Sequence, residues 1–564
     1  MPIDLMTAAG EKLLKSKQTP WTIYPRPQMR RESYVNLNGM WDFAVQQSAA
    51  PETVEYDQKI LVPFCPECQL SGIGEHFSED SSLLYRRSFT LPENFNKGRV
   101  LLHIGAVDQI AHVYVNQKQL QTHSGGYESF SVDITDALQE ENELVICCTD
   151  DLKDQSFPYG KQTLKRGGMW YTPVSGIWQT VWLESVPETY IQNLKIENRG
   201  YGVTITTEPA MAGKVVVKDL GEFALENGSV TITPENPNLW SPENPYLYEF
   251  TVECGQDKVE SYFAIRCLEI KEVDGYNRLC LNGKPYFFHG LLDQGYWPDG
   301  LFTPATPECY AQDILAMKAL GFNTLRKHIK VEPEQFYYDC DRLGMIVFQD
   351  MVNNSDYSFL RDTALPTVGL QKLNDKNLHK NATHRRRFLE GMASTVRQLW
   401  NHPSICYWTI FNEGWGQFDA DSVYETLKAL DDTRFIDSTS GWFRRRKTDV
   451  DSHHVYFKPI KLKAGNKPLV LSEFGGYSFK PAGHVFNTEQ TYGYGKYEKQ
   501  EDFTAAVEKL YYQEVVPAFK QGLCAAIYTQ VSDVEDETNG ILSYDRKVTK
   551  LDAPTMLPIA EKLK

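Results

Sequence analysis

The chain has 564 residues, 41% of them hydrophobic, with a net charge of −16. Such a length holds about three or four domains, each with a sizeable core. The acidic balance excludes nucleic acid and an anionic membrane as partners, since both require clustered Lys and Arg, and no run of about 18 apolar residues is present to span a bilayer. The opening Met-Pro-Ile-Asp-Leu-Met lacks a basic start followed by an apolar stretch, so no secretory leader is expected. The 11 cysteines are scattered, and Cys65-Pro-Glu-Cys68 is the one CxxC. They predict reduced thiols, a cytoplasmic location and no metal centre.

Short runs alternate apolar and polar residues from about residue 35 to 185, as in Val100-Leu-Leu-His-Ile104 and Ala111-His-Val-Tyr-Val115, with a turn signal at Asn116. This rhythm predicts an antiparallel jelly roll over 1–185. Runs such as Ser229-Val-Thr-Ile-Thr233 and Tyr246-Leu-Tyr-Glu-Phe-Thr-Val252 continue the pattern in a smaller unit, read as an immunoglobulin-like sandwich over 186–270. After about 270 strands alternate with helices. Tyr286 to Leu292 begins the series, and Thr306, before Pro307, reads as the N-cap of the first helix. Later strands are expected at 322–328, 345–349, 404–412, 436–439, 450–456, 469–471 and 523–529. Eight β/α units over 271–564 predict a TIM barrel.

Two carboxylates stand out in that barrel. Glu413 follows the apolar run Ile405-Cys-Tyr-Trp-Thr-Ile-Phe411, and Glu473 follows Leu469-Val-Leu471. Such runs read as buried parallel strands, and a barrel keeps its chemistry at their C-terminal ends. Two opposed carboxylates are the equipment of glycoside hydrolysis; a separation of about 5–5.5 Å would make it retaining. Asn412 is placed to donate to a sugar 2-hydroxyl. Asp293 and Gln294 after the first strand, and Asp350 and Asn353 after the third, are candidates for other hydroxyls. Trp297, Trp415 and Trp442 are candidate stacking faces, with core packing as the rival. His453 and His454 point opposite ways on a strand, so at most one, taken as His454, lines the site.

These residues carry a resemblance. Asn401 to Trp415, ending Phe-Asn-Glu-Gly-Trp, and Ser472-Glu-Phe-Gly475 resemble the acid/base and nucleophile signatures of glycoside hydrolase family 2. Leu37-Asn-Gly-Met-Trp-Asp-Phe43 and Gly167 to Trp182 are similar to its sandwich motifs. The resemblance runs from about residue 20 to 548 and implies Glu413 as acid/base and Glu473 as nucleophile. It also implies Arg326 as the strand-two arginine near the nucleophile, Tyr456 as the tyrosine against it, and Tyr528 as the aromatic ending strand eight. The Glu-x-His that binds magnesium in large β-galactosidases is replaced by Gln349-Asp-Met-Val-Asn-Asn-Ser355, so no catalytic metal and no cofactor are expected. The Asn-x-Lys of β-glucuronidases has no counterpart, and the acidic stretch Asp533 to Glu537 reads as repelling a uronate.

The expectation is therefore a retaining exo-β-glycosidase acting on terminal neutral sugars, foremost a β-galactosidase, with a β-glycoside or oligosaccharide as its partner. The alternatives are β-mannoside, β-glucoside, β-xyloside or β-glucuronide specificity, or a carbohydrate-binding protein without catalysis. Pairing of copies through the sandwiches or barrel, as is common in the family, is a further expectation.

Overall fold

A computed structural model describes residues 5–47, 54–371 and 374–564. The first four residues, where the leader reading begins, lie outside them. The first sandwich faces a six-stranded antiparallel sheet, ordered 58–62, 39–46, 82–89, 142–149, 110–115 and 118–124, against a four-stranded one. Period-two patterning builds it: Ala111, Val113 and Val115 are fully buried, while Ile110, His112 and Tyr114 between them are half-exposed. The hairpin turns at Asn116 and Gln117, both at positive φ, as the twist of a two-residue loop requires.

The second sandwich pairs the strands 193–199, 202–208 and 229–232 against a four-stranded sheet of 221–225, 213–217, 248–254 and 257–263. Tyr248, Phe250, Val252 and Cys254 point into its core while Glu249, Thr251 and Glu253 point out.

The C-terminal half forms a near-closed barrel of eight parallel strands. They are β1 (Phe288–Asp293), β2 (Thr324–Lys327), β3 (Ile346–Asp350), β4 (Ile405–Asn412), β5 (Phe435–Ser440), β6 (Asp451–Val455), β7 (Leu469–Gly475) and β8 (Leu523–Thr529). Hydrogen bonds run in the order β5-β4-β3-β2-β1-β8-β7-β6, and β5 and β6 meet at the seam without a ladder. All strands but β6 are buried along their whole length, which accounts for the apolar runs of β3, β4, β7 and β8. The barrel floor is filled by Phe288, Phe348, Tyr407, Phe435 and Ile527 and sealed by Trp240 from the second sandwich.

The first barrel helix, Glu308–Ala319, corrects the expected cap. Pro307 is its N-cap, without a side-chain bond, because the Thr306 hydroxyl lies against Cys309 Sγ (3.8 Å) and not against a backbone N–H. Helix Ala382–Leu399 is capped by Asn381, which accepts from Thr383 N and His384 N. Among the described residues no helix is long and apolar enough to cross a membrane, and none of the 11 cysteines is in a disulfide.

A loop of the first sandwich, residues 155–163, lies on the segment after β3. Tyr159 N donates to Asn353 O (3.0 Å), Tyr159 Oη to Ser355 O (2.8 Å), Asn354 Nδ2 to Ser156 O (2.7 Å) and Ser355 N to Gln155 O (2.7 Å).

Candidate active site

Glu473 lies within β7 at a point where the ladders to both neighbours shift register, between His453 and His454 on β6 and between Leu471 and Phe474 against β8. The irregularity turns its carboxylate into the barrel mouth. Glu413 follows β4 in a left-handed backbone conformation (φ 51°), fixed by its N–H donating to Ser440 O (2.9 Å). Gly414 and Gly441 flank this turn at positive φ. A Cβ on Gly414 would meet the Phe443 ring at 2.4 Å, and one on Gly441 would meet His454 Nδ1 at 2.7 Å.

The two carboxylates face each other across His454. Its Nδ1 lies 2.8 Å from Glu413 Oε1, and its Nε2 lies 3.0 Å from Ser440 Oγ and 3.6 Å from Glu473 Oε1. One ligand atom from each of the three falls within 4.8 Å of the others. Arg326, fully buried, donates to Glu473 Oε1 (3.0 Å), Ser472 O (3.0 Å), Asn412 Oδ1 (2.8 Å) and Asp350 Oδ1 (3.0 Å). Tyr456 Oη donates to Glu473 Oε2 and lies 3.0 Å from Thr529 Oγ1. With its oxygen held by Arg326, Asn412 leaves a buried Nδ2 with no partner among the described residues.

The surroundings drive the two glutamates apart. Burial raises Glu473, but the charges of His454 and Arg326 and the Tyr456 hydrogen bond outweigh it and hold the carboxyl at about 2. Burial raises Glu413, and Glu473 pushes the same way; the His454 contact opposes without prevailing. His328 is held down at about 4, by burial first and then by the charge of Lys161, so it is neutral above that pH while it bonds Asp350 Oδ2 (2.8 Å). Arg326 is thus a standing positive charge beside Glu473, and His328 is not. The same charge argues against a resident cation on Glu413, His454 and Glu473, because both oxygens of Glu473 are already engaged.

Of the residues singled out in the sequence, Glu413, Glu473, Asn412, Arg326, Tyr456, His454 and Asp350 come together. Asp350 does so as a brace for Arg326 and His328, not as a free acceptor. Asn353 is buried nearby with both side-chain polar atoms unpartnered among the described residues. Trp415 is 2% exposed and stacks on Trp170 of the first sandwich (5.5 Å). Trp442 is half-buried, donates to Asp362 O (3.1 Å) and stands 5.5 Å from the His454 ring.

Four candidates are corrected. The Asp293 carboxylate is taken by its β2 neighbour Lys327 (2.6 Å), within a buried chain that continues through Glu332 to Lys330. Gln294 donates to Gln530 Oε1 (2.7 Å) in the loop after β8. Trp297 is core, with Tyr310 at 6.1 Å and the Arg546 guanidinium over its ring at 4.0 Å. Tyr528 faces the helix layer, against Phe474 and Tyr511, and Thr529, one residue on, faces the mouth. The acidic stretch is also less free than its composition suggests. Asp533 pairs with Lys550 (2.6 Å), Glu535 accepts from Thr172 N (2.9 Å), Asp536 accepts from Asn487 Nδ2 (2.7 Å), and Glu537 binds the Tyr171 hydroxyl and Asn539 Nδ2 (3.2 Å).

Sequence reasoning missed His328, Lys161, Trp170, Tyr494 and Thr529. His328 had a signal, because it sits two residues after Arg326 and so shares its face. Tyr494 packs on Tyr456 (4.3 Å) from the short strand Tyr494–Tyr497, which pairs with Tyr477–Phe479 outside the eight barrel strands. Trp170 lies inside the sandwich motif Gly167 to Trp182, but nothing in that motif points to the barrel mouth, and Lys161, from the same domain, carried no signal.

The family profile "Glycosyl hydrolases family 2, TIM barrel domain" matches residues 272–550. "Glycosyl hydrolase 2 galactose-binding domain-like" matches 72–163, and "Glycosyl hydrolases family 2" matches 186–266. A β-galactosidase of Thermoanaerobacter pseudethanolicus is 25% identical over 356 residues, 58% of this chain and 44% of that protein. A β-glucuronidase of Bacteroides fragilis is 22% identical over 409 residues, 67% and 56% of the two chains. The chain thus spans about half the length of the curated relatives it matches. A solved Bifidobacterium dentium β-glucuronidase complexed with coumarin-3-O-glucuronide superposes with a TM-score of 0.75 at 18% identity, covering 95% of this chain and 98% of that one.

Proposed function

We propose that this chain, which belongs to glycosyl hydrolase family 2, is a retaining exo-β-glycosidase that works by double displacement. The observation that carries the reading is the opposed pair, with Glu473 ionised beside Arg326 and Glu413 raised by burial, their oxygens bridged by His454 within 4.8 Å. That spacing fits the retaining class, whose carboxyls stand about 5–5.5 Å apart, and leaves no room for the water that an inverting pair needs between them.

Glu473 attacks the anomeric carbon while Glu413 gives its proton to the departing glycosidic oxygen. Glu413, now ionised, takes a proton from water, which attacks the anomeric carbon of the glycosyl ester and releases Glu473. Arg326 and Tyr456 keep the nucleophile anionic and aimed. The unpartnered Asn412 Nδ2 is positioned for the sugar 2-hydroxyl, a bond that tightens as positive charge grows on the ring.

The glycone is the finer question. The absence of Asn-x-Lys after β8 favours a neutral sugar, and β-galactoside remains the reading on that ground. The argument from the acidic stretch falls away, since its carboxylates are bonded internally.

Replacement of Glu473 by Gly tests the mechanism. Turnover of aryl β-glycosides should vanish, and added azide should restore part of it, giving an α-glycosyl azide. Turnover near the wild-type rate without azide would remove Glu473 from its role.

A further inference from the structure

We propose that a cleft between the first sandwich and the helix layer of the barrel, walled by Trp21 and Trp182, is a second, non-catalytic carbohydrate site. It seats one neutral sugar unit, and the groove that leads to it holds the rest of an oligosaccharide. The cleft shares no residue with the site of Glu413, His454 and Glu473.

Gln179, Thr180 and Trp182 line the cleft from the first sandwich, Trp21 from the segment before it, and Glu334 and Gln335 from the start of the barrel helix Glu334–Leu343. Trp182 is 4% exposed and Gln179 6%, yet Trp182 Nε1 and Gln179 Nε2 have no partner among the described residues. Leaving a buried donor unpaired is costly, and here two converge. Both side chains are held in place. Trp182 lies stacked on the His103 ring (4.9 Å), and Gly105 packs so closely on Gln179 that an added Cβ would meet its Cβ at 2.6 Å and its Oε1 at 2.8 Å. Trp21 is fixed by its Nε1 donating to Pro304 O (2.9 Å).

On the barrel side Glu334 makes no hydrogen bond or ion pair with the described residues. Burial raises its carboxyl, and the charges of His402 and Arg26 oppose without prevailing. The cleft thus offers unpaired donors and an unpaired acceptor between two indoles. An ammonium would serve Glu334 alone, and an anion the donors alone. A hydroxyl both donates and accepts, and the C–H face of a pyranose suits an indole. A neutral sugar meets all of these demands at once.

The cleft is the narrow end of a larger space. At Ile23 and Gln335 it meets a groove of about 1230 Å³ between the outer face of the second sandwich, the segment 22–34 and the same barrel helix. That exceeds the roughly 300–1,000 Å³ of a small-molecule site and leaves room for several sugar units. The groove repeats the chemistry of the cleft. Tyr262 and Tyr338 pack together across it (5.3 Å), and the Arg342 guanidinium lies 5.9 Å from the Tyr338 ring. Asp339 accepts from Gln335 Nε2 (2.9 Å) and Arg342 Nε (2.8 Å) through Oδ1 alone, and its Oδ2 and Ser261 Oγ are buried without partners among the described residues.

The test uses the full chain carrying Glu473→Gly, to keep the ligand intact, titrated by calorimetry with neutral tetrasaccharides of β-linked galactose, mannose, glucose or xylose. At least one should bind at two sites, the catalytic mouth and the cleft. Glu334→Ala and Gln179→Leu should each weaken the second site about tenfold and leave the first unchanged. Tyr338→Ala should weaken the tetrasaccharide at that second site and spare the matching methyl monoglycoside. With Glu473 restored, all three variants should keep the wild-type kcat/KM on a nitrophenyl monoglycoside. A single binding site, or a second site untouched by Glu334→Ala and Gln179→Leu, overturns the proposal. So does a fall in kcat/KM that matches the loss of binding, because the ligand would then sit at the catalytic mouth. If Gln179→Leu fails to fold, Glu334→Ala, at the half-buried start of its helix, decides.

Discussion

His454 lies against both glutamates, 2.8 Å from Glu413 Oε1 and 3.6 Å from Glu473 Oε1, and the pH behaviour of the site turns on it. Glu413 must carry a proton to act as acid, so activity falls on the basic side as pH rises through its raised value. The contact with His454 pulls that value down, so His454→Asn should move the basic limb of kcat/KM to higher pH. A limb that stays put or moves down would detach His454 from the acid. Glu473 behaves oppositely. Its folded value of about 2 lies below the unfolded 4.5, so its contribution to stability is present above about 4.5 and is lost as pH falls towards 2. The acid limb of activity in the range above pH 3 is then not set by the nucleophile.

At the scale of the element, the turn between β5 and β6 matters through Gly441. Its φ of 87° strains any other residue, and an added Cβ would strike the His454 ring at 2.7 Å. Gly483 has a similar φ, 79°, with nothing within 4 Å of an added Cβ. Gly441→Ala and Gly483→Ala should each cost about 1–3 kcal/mol of stability or less, but only Gly441→Ala should depress kcat and shift the pH profile. Equal effects on kcat would mean that His454 is not held by this turn.

The elements also show what a sequence displays. β4 and β7 were legible because a strand buried on both faces writes itself as a continuous apolar run, and the residue at its end is then known to sit at the mouth. Face assignment is more fragile, since side chains alternate, and an error of one residue puts Tyr528 in the pocket where Thr529 belongs. Asp293 failed differently. Its position at a strand end was right, but the parallel register sets it beside Lys327, and an ion pair outcompetes any role as a free acceptor. Lys161 was beyond reach because nothing local distinguishes a loop lysine that docks on another domain from one in solvent.

Across the whole molecule the first sandwich and the barrel share one apolar core. Leu5, Leu13, Trp21, Phe64, Tyr127, Tyr171 and Trp178 belong to the same buried cluster as Tyr310, Leu325, Trp408 and Phe474 of the barrel. Polar ties reinforce it: Thr7 donates to Asp299 Oδ2 by N–H (2.9 Å) and hydroxyl (2.6 Å), Trp21 Nε1 donates to Pro304 O (2.9 Å), and Trp178 O accepts from the Thr303 hydroxyl. The second sandwich is joined through Trp240 Nε1 to Asp341 O (2.8 Å) and through Trp400 Nε1 of the barrel to Ile196 O (2.9 Å). Domains that meet across small polar interfaces melt separately; domains that share a core cannot expose it one at a time without paying the hydration of that whole surface. Differential scanning calorimetry of the full chain should therefore give a single main transition, with loss of activity tracking it. A separate early transition of the first sandwich that left turnover intact would show the shared cluster to be energetically minor, and would also argue against a sandwich residue at the mouth, because activity could then persist with the 155–163 loop undocked.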